Sequence, residues 1–208
     1  MKRIILATGN QGKVRELKEI LGSHDIEVLS LRDFPGIGEI VEDGVTFAEN
    51  ALKKAKTVAE ATGLIAVADD SGLEVDFLEG APGIYSARFA GEGKNDLDNN
   101  LKLLSLMKDV PDQQRTARFR CVIAVATPCG ETYTAEGTCE GVVAWEMRGD
   151  QGFGYDPLFF LPEYEKTFAQ LEPDIKNRIS HRGKALAKAE SVLAGVIERV
   201  EMEQCGLG

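Results

Sequence analysis

Short apolar runs alternate along this chain with segments whose apolar positions recur every three to four residues. That pattern predicts strands interleaved with amphipathic helices. Residues 3–8 (RIILAT) read as a buried strand, and residues 12–23 as a helix with Val14, Leu17, Ile20 and Leu21 on one face. Residues 26–31 form a second predicted strand, followed by a loop rich in glycine and carboxylates at 34–44. Thr46 and Glu49 have capping-box spacing at the head of a helix that Gly63 is placed to end. A third strand is predicted over 64–70, a turn-rich loop over 78–89 and a helix over 95–110 that stops before Pro111. Two strands at 117–127 and 131–146 flank the turn Pro128-Cys129-Gly130. Residues 152–162 read as a loop feeding a short apolar strand. Residues 180–200 form the last helix, whose stripe of Ala185, Leu186, Ala189, Val192, Leu193, Val196, Ile197 and Val200 reads as core. The expectation is an α/β fold, a mixed sheet flanked by helices.

Bulk properties narrow the setting. The 208 residues suffice for one domain, or one core with two lobes. A net charge of -10 argues against sequence-blind nucleic-acid binding, so any polyanion must be met by local cations or through a metal ion. The four cysteines show no C-x-x-C spacing and read as reduced thiols. The apolar run after Met1-Lys2-Arg3 is only Ile4–Ala7, too short for a signal peptide, and no stretch approaches the ~20 apolar residues of a membrane span. The expectation is a cytoplasmic protein without membrane or nucleic-acid partners.

Candidate chemistry begins at Gly9-Asn10-Gln11-Gly12-Lys13, where a strand runs into a helix. The spacing is not that of a P-loop, but the physical situation is similar, because glycines allow close backbone approach and a helix start offers free N–H groups. Lys13 and Arg15 oppose the helix macrodipole there, and a bound anion would resolve the conflict. A tight structural turn is the other reading. Asp69 and Asp70 end a predicted strand, where successive side chains point to opposite faces, so one is expected to face a site and the other to hold the loop. Asp-Asp-Ser-Gly also reads as a plain turn. Glu42 with Asp70 would suit Mg²⁺, which takes one or two carboxylates plus phosphates and waters, although Glu42 alone reads as a solvated loop acid. Asn50 and Lys54 share a helix face that could lean toward these carboxylates.

The late segment G-F-G-Y-D-P interleaves glycine and aromatics. Phe153 or Tyr155 could stack on a base and Asp156 could accept from ring N–H groups, or the aromatics enter the core. Ser180 is placed to cap the last helix, whose first turn carries His181, Arg182 and Lys184, a second cationic start. Lys176 and Arg182 are donors suited to a base carbonyl. His181 reads equally as a capping or packing residue.

Taken together, LATGNQGKVREL, TFAENALKKA, ADDSGLEVDFLEGAPGIYSAR, GFGYDPLF and ISHRGKAL, in that order, closely resemble the inosine/xanthosine triphosphate pyrophosphatases, the HAM1-like family, and its bacterial dITP/XTP pyrophosphatases in particular. The resemblance runs from Lys2 to about Leu193. It implies one domain over 1–208 with a long mixed sheet, two lobes and a central substrate cleft, usually homodimeric. It also implies Mg²⁺-dependent hydrolysis of ITP, dITP and XTP to monophosphate and pyrophosphate, which removes deaminated purines from the nucleotide pool. By the same resemblance Thr8, Gly9, Asn10, Gln11, Gly12 and Lys13 form the phosphate-binding loop. Glu42 and Asp70 are the metal ligands, and Asp70 is also the general base. Ser71 and Lys54 contact substrate, and Phe153, Gly154, Tyr155, Asp156, Lys176, His181 and Arg182 form the base pocket.

Overall fold

The computed structural model describes residues 2–21, 26–38, 40–93 and 95–204. Seven strands form one mixed sheet in the order β2-β1-β3-β4-β5-β6-β7: β1 (Lys2–Leu6), β2 (Ile26–Ser30), β3 (Ile65–Val75), β4 (Thr116–Ala126), β5 (Thr132–Val143), β6 (Phe159–Leu161) and β7 (Lys166–Thr167). The helices are α1 (Gln11–Leu21), α2 (Phe47–Thr62), α3 (Asp96–Leu106), α4 (Pro173–Ile179) and α5 (His181–Gln204), joined by short 3-10 turns. The α/β expectation holds.

The chain resolves into two compact units. The first comprises residues 1–70, 122–137 and 183–208, and the second residues 71–121 and 138–182. In the first unit β1 pairs in parallel with β2 on one side and β3 on the other. The chain therefore leaves β1 through α1 in one direction and returns through α2 to the opposite side. That reversal makes a switch point at the carboxyl end of β1, beside residues 67–70 of β3, and open parallel sheets bind ligands at such points. Ile4, Ile5 and Leu6 are wholly buried, as are Ala66, Val67 and Ala68, the near-continuous apolar reading of strands covered on both faces. Val14 and Leu17 of α1 are buried as expected, and so are Ala185, Leu186, Ala189, Leu193 and Val196 of α5. The side chains of Ile20, Leu21, Ile197 and Val200 lie outside the described residues. Val192 is only partly buried.

The second unit has its own core of Leu73, Val75, Leu103, Met107, Phe119, Tyr155, Phe159 and Phe168. Arg115 is buried there. Its guanidinium donates to the carbonyls of Met107, Val110, Val143 and Ala144 at 2.6–3.3 Å and lies over the Trp145 ring. It thus ties the main chain after α3 to that at the end of β5.

Two boundaries differ from expectation, and one helix appears that the pattern did not predict. β3 does not stop at Asp70 but continues to Val75, so Asp-Asp-Ser-Gly is extended strand rather than a turn. The unexpected helix is α4, which ends before Ser180; Ser180 is extended at φ -67°, ψ 160°, and the last helix begins at His181, in keeping with Ser180 at its head. α3 ends at Leu106, four residues early, because Met107–Asp109 turn and bring Val110 under Arg115. The two-residue β7 has no counterpart in the sequence reading.

Candidate active site

Local chemistry places the candidate residues of the first unit. β1 ends at Leu6, and Ala7 N–H still donates to Val67 O at 2.8 Å. Asn10 then caps α1, its side chain accepting from Lys13 N–H at 3.2 Å. Thr8 Oγ1 accepts from Asn10 N–H. Gly9 has an ordinary backbone conformation, and a Cβ there would meet nothing within 4 Å. The fold's own sterics therefore do not demand glycine at position 9. Gly9, Asn10 and Gln11 are exposed, Gly12 and Lys13 partly so.

Strand alternation separates the two aspartates. Asp69 is wholly buried and forms an ion pair with the loop lysine, Oδ2 to Lys13 Nζ, at 3.0 Å. Asp70 points the other way. Its Oδ2 accepts from Asn50 Nδ2 and its Oδ1 from Lys54 Nζ, each at 3.2 Å. Lys54 Nζ also donates to Glu42 Oε1 at 2.6 Å and to the Asp69 carbonyl at 2.7 Å. The capped start of α2 is responsible for this convergence. Thr46 accepts from Glu49 N–H, Glu49 from Val45 N–H, and Asn50 from Gly44 N–H, which folds the Glu42 segment back onto the helix. A Cβ at Gly44 would meet Asn50 Oδ1 at 2.7 Å, so position 44 has no room for a side chain.

Burial raises the pKa of Asp70, and Lys54 and Lys13 pull it part of the way back. Burial works against the charge of Lys54 too, but Asp70, Asp69 and Glu42 together outweigh it and hold the ammonium pKa above its ordinary 10.5. Among the described residues no cluster of three His, Cys, Asp or Glu side chains is shaped for a metal. Glu42 and Asp70 nonetheless converge on one cationic centre. Two hard oxygen donors fit Mg²⁺, which completes its shell with phosphates and water, better than a transition metal.

A second group of candidate residues belongs to the other unit. Asp156 Oδ2 accepts from Lys176 Nζ at 2.6 Å and from Phe153 N–H at 2.8 Å, curling residues 152–156 into a tight loop. Gly152 has φ +79°, and a Cβ there would lie 2.0 Å from Asp156 Oδ2, so both backbone and space require glycine. Lys176 and Arg182 lie 5.3 and 5.6 Å from the Phe153 ring centre, and Arg182 donates to Ser71 Oγ at 2.9 Å. His181 stacks on Phe119 at 4.6 Å between centres, which supports its packing reading.

Tyr155 corrects one expectation. Its ring belongs to the core and its hydroxyl donates to Ser86 O at 2.8 Å, so it offers no flat face to a base, and burial pushes the phenol pKa up. Phe153 alone of the two can do so. Asp69 and Asn50 are structural partners of the site, and strand alternation already points to Asp69. The i, i+4 spacing of Asn50 and Lys54 pointed to one of them.

The switch-point location, the helix-opening loop and the lysine–carboxylate cluster place the chain among the α/β proteins that carry a ligand site at the carboxyl ends of parallel strands. Comparison with known proteins narrows this class. The Ham1 family profile matches residues 4–192, and the chain belongs to the Ham1 family. A dITP/XTP pyrophosphatase from Desulforamulus reducens is 61% identical over 191 residues, covering 92% of this chain and 95% of that protein. The structure of a HAM1 protein from Coxiella burnetii superposes with a TM-score of 0.84 at 41% identity, covering 94% of this chain and all of that one. The Staphylococcus aureus Ham1 protein gives a TM-score of 0.82 at 42% identity, covering 93% and 99%.

Proposed function

We propose that this protein hydrolyses deaminated purine nucleoside triphosphates (dITP, ITP and XTP) to the monophosphate and pyrophosphate, clearing them from the nucleotide pool. The observation that carries the reading is the cluster at the end of β1 and the middle of β3. Two lysine ammonium groups, Lys13 and Lys54, are held by Asp69, Asp70 and Glu42 beside a glycine loop that opens a helix. Family membership and the activity named for the D. reducens relative support it.

In this reading the exposed Gly9–Gly12 backbone and the start of α1 bind phosphate oxygens, and Gly9 lets the ligand approach closely. Lys13, aimed by Asp69, and Lys54 stabilise charge as pyrophosphate departs. Glu42 and Asp70 would hold Mg²⁺, which supplies charge neutralisation on the triphosphate. Asp70 takes a proton from the water that attacks the α-phosphorus. Its burial strengthens it as a base, while Lys54 and Asn50 keep the carboxylate oriented. The base is assigned to Phe153, Asp156, Lys176 and Arg182. A 6-oxo group accepts from a cationic donor, whereas the amino group of adenine leaves that donor unmet, at a cost of about 1–3 kcal/mol.

The working form is proposed to be a cytoplasmic homodimer. Exposed Phe77, Tyr85, Leu97 and Leu101 of the second unit are apolar surface that a second copy would cover. Among the described residues no helix is long and apolar enough to cross a membrane.

Asp70→Asn tests the mechanism. It keeps size and one acceptor, so the fold should survive while turnover drops by about 10²–10⁴. A near-normal rate in that variant overturns the base assignment.

A further inference from the structure

The loop at Gly152–Asp156 is held at its centre by a helix that the mechanism does not use. Gly154 N–H donates to Asp96 Oδ2 at 2.7 Å, and Gly154 C=O accepts from Asn100 Nδ2 at 2.8 Å. These two groups belong to the two peptide planes flanking Gly154, so both planes are fixed. Asp96 and Asn100 stand four residues apart and share one face of α3. The second proton of Asn100 Nδ2 goes to the Asp96 carbonyl at 2.8 Å. Both acceptors are carbonyl oxygens, so the orientation of this amide is unambiguous. Asn100 is 3% exposed, and its Oδ1 has no protein partner among the described residues. A buried amide that leaves its acceptor unmet is costly as packing and is accounted for by its donors.

Gly154 itself adopts φ +60°, a conformation that costs non-glycine residues energy, although a Cβ there would touch nothing within 4 Å. The loop's shape therefore depends on anchoring from outside. Its neighbours are Phe153, the ring beside Lys176 and Arg182, and Asp156, the partner of Lys176. Because its N–H is committed to Asp96, Gly154 does not donate to substrate.

We propose that Asp96 and Asn100 are positioning residues for purine recognition, acting through the two peptide planes of Gly154 to set Phe153 and Asp156. This deepens the proposed function and rests on the base being read by the 152–156 loop. Isosteric variants of the full-length chain separate donor chemistry from packing. Asn100→Asp replaces the donating amide with an oxygen that faces the Gly154 carbonyl. Asp96→Asn retains an oxygen acceptor for Gly154 N–H. For Asn100→Asp, KM for dITP should rise by about tenfold or more with kcat changed less than about twofold, because misplaced base contacts weaken binding rather than chemistry. Inhibition by inorganic tripolyphosphate, which has no base, should be unchanged. Asp96→Ala, which removes that acceptor where Asp96→Asn retains one, should raise KM for dITP in the same way. If Asn100→Asp fails to fold, Asn100→Ser, which removes the donors without adding charge, should show the same KM shift.

Unchanged KM in a folded Asn100 variant overturns the proposal. So does a fall in kcat with KM intact, or equal loss of dITP turnover and tripolyphosphate inhibition. Failure of the underlying reading is seen separately, as a wild-type enzyme that does not turn over dITP, and it removes the proposal with it.

Discussion

Replacing Lys54 by methionine removes the one ammonium that joins Glu42, Asp70 and the Asp69 carbonyl. Removing one partner of a buried ion pair generally costs about 3–5 kcal/mol, because the other charge stays buried. The three partners here do not contribute equally. The Glu42 side chain is 33% exposed and rehydrates, so its share falls toward the roughly 0–1 kcal/mol of a surface pair. Asp70 is 10% exposed and cannot rehydrate, and the Asp69 carbonyl loses its side-chain donor. The expected cost is therefore near the lower end, about 3 kcal/mol. For a chain of this size that lowers the thermal midpoint by roughly 6–12 °C. The folded pKa of Lys54 is raised above 10.5, so its contribution is complete below that value and lost as pH rises through the raised one. The gap between wild type and Lys54→Met should therefore stay level from pH 7 to about 10 and close above it. Differential scanning calorimetry across that range, with dITP turnover measured alongside, reads both effects. Turnover should fall by on the order of 10²-fold, as for loss of a charge-stabilising donor. A variant whose midpoint lies within about 2 °C of wild type at pH 7.5 refutes the assignment of Lys54 as the cluster's keystone.

Three further outcomes follow from the geometry. Gly152→Ala, by driving a Cβ into Asp156, should break the Asp156–Lys176 pair and raise KM for dITP at least tenfold, read by steady-state kinetics. Tyr155→Phe should cost about 1–2 kcal/mol in urea unfolding, through the unmet Ser86 carbonyl, and leave kcat and KM for dITP unchanged. Hydrogen bonds from Thr116 and Arg118 hold the Asp76 carboxyl below its ordinary 3.8, so its contribution is present above that pH and lost as pH falls through the lowered value; acid unfolding of Asp76→Asn should lack that component.

Strand and helix existence was legible because the periodicities were long and the Thr46–Gly63 helix carried both its caps, which the structure reproduces. The split of Asp69 from Asp70 followed from alternation alone and needed no tertiary knowledge. Less local information was not accessible. The extension of β3 to Val75 depends on pairing with a distant strand, which overrides the turn preference of Asp-Asp-Ser-Gly. Tyr155 and Phe153 stand two apart in one loop, and nothing in their spacing says which ring enters the core. That is decided by Ser86, 69 residues upstream. Nothing local marks Asp96 and Asn100 among the polar positions of their helix, because their partner lies more than 50 residues away. The cationic starts of α1 and α5 were the most useful local signal. In α1 the conflict with the macrodipole leads to Lys13, which the structure pairs with a fully buried carboxylate.

The central claim is tested most directly by incubating the purified protein with Mg²⁺ and dITP, XTP, ATP or GTP, and measuring pyrophosphate and orthophosphate separately. The account predicts pyrophosphate with the matching monophosphate from dITP or XTP, and little of either product from ATP; GTP, which shares the 6-oxo group, reports whether the 2-position is read as well. Orthophosphate as the first product would move the attack to the γ-phosphorus and contradict the roles given to Asp70, Lys13 and Lys54. Binding of dITP without any product, in a folded and metal-supplied sample, would contradict the enzyme reading itself.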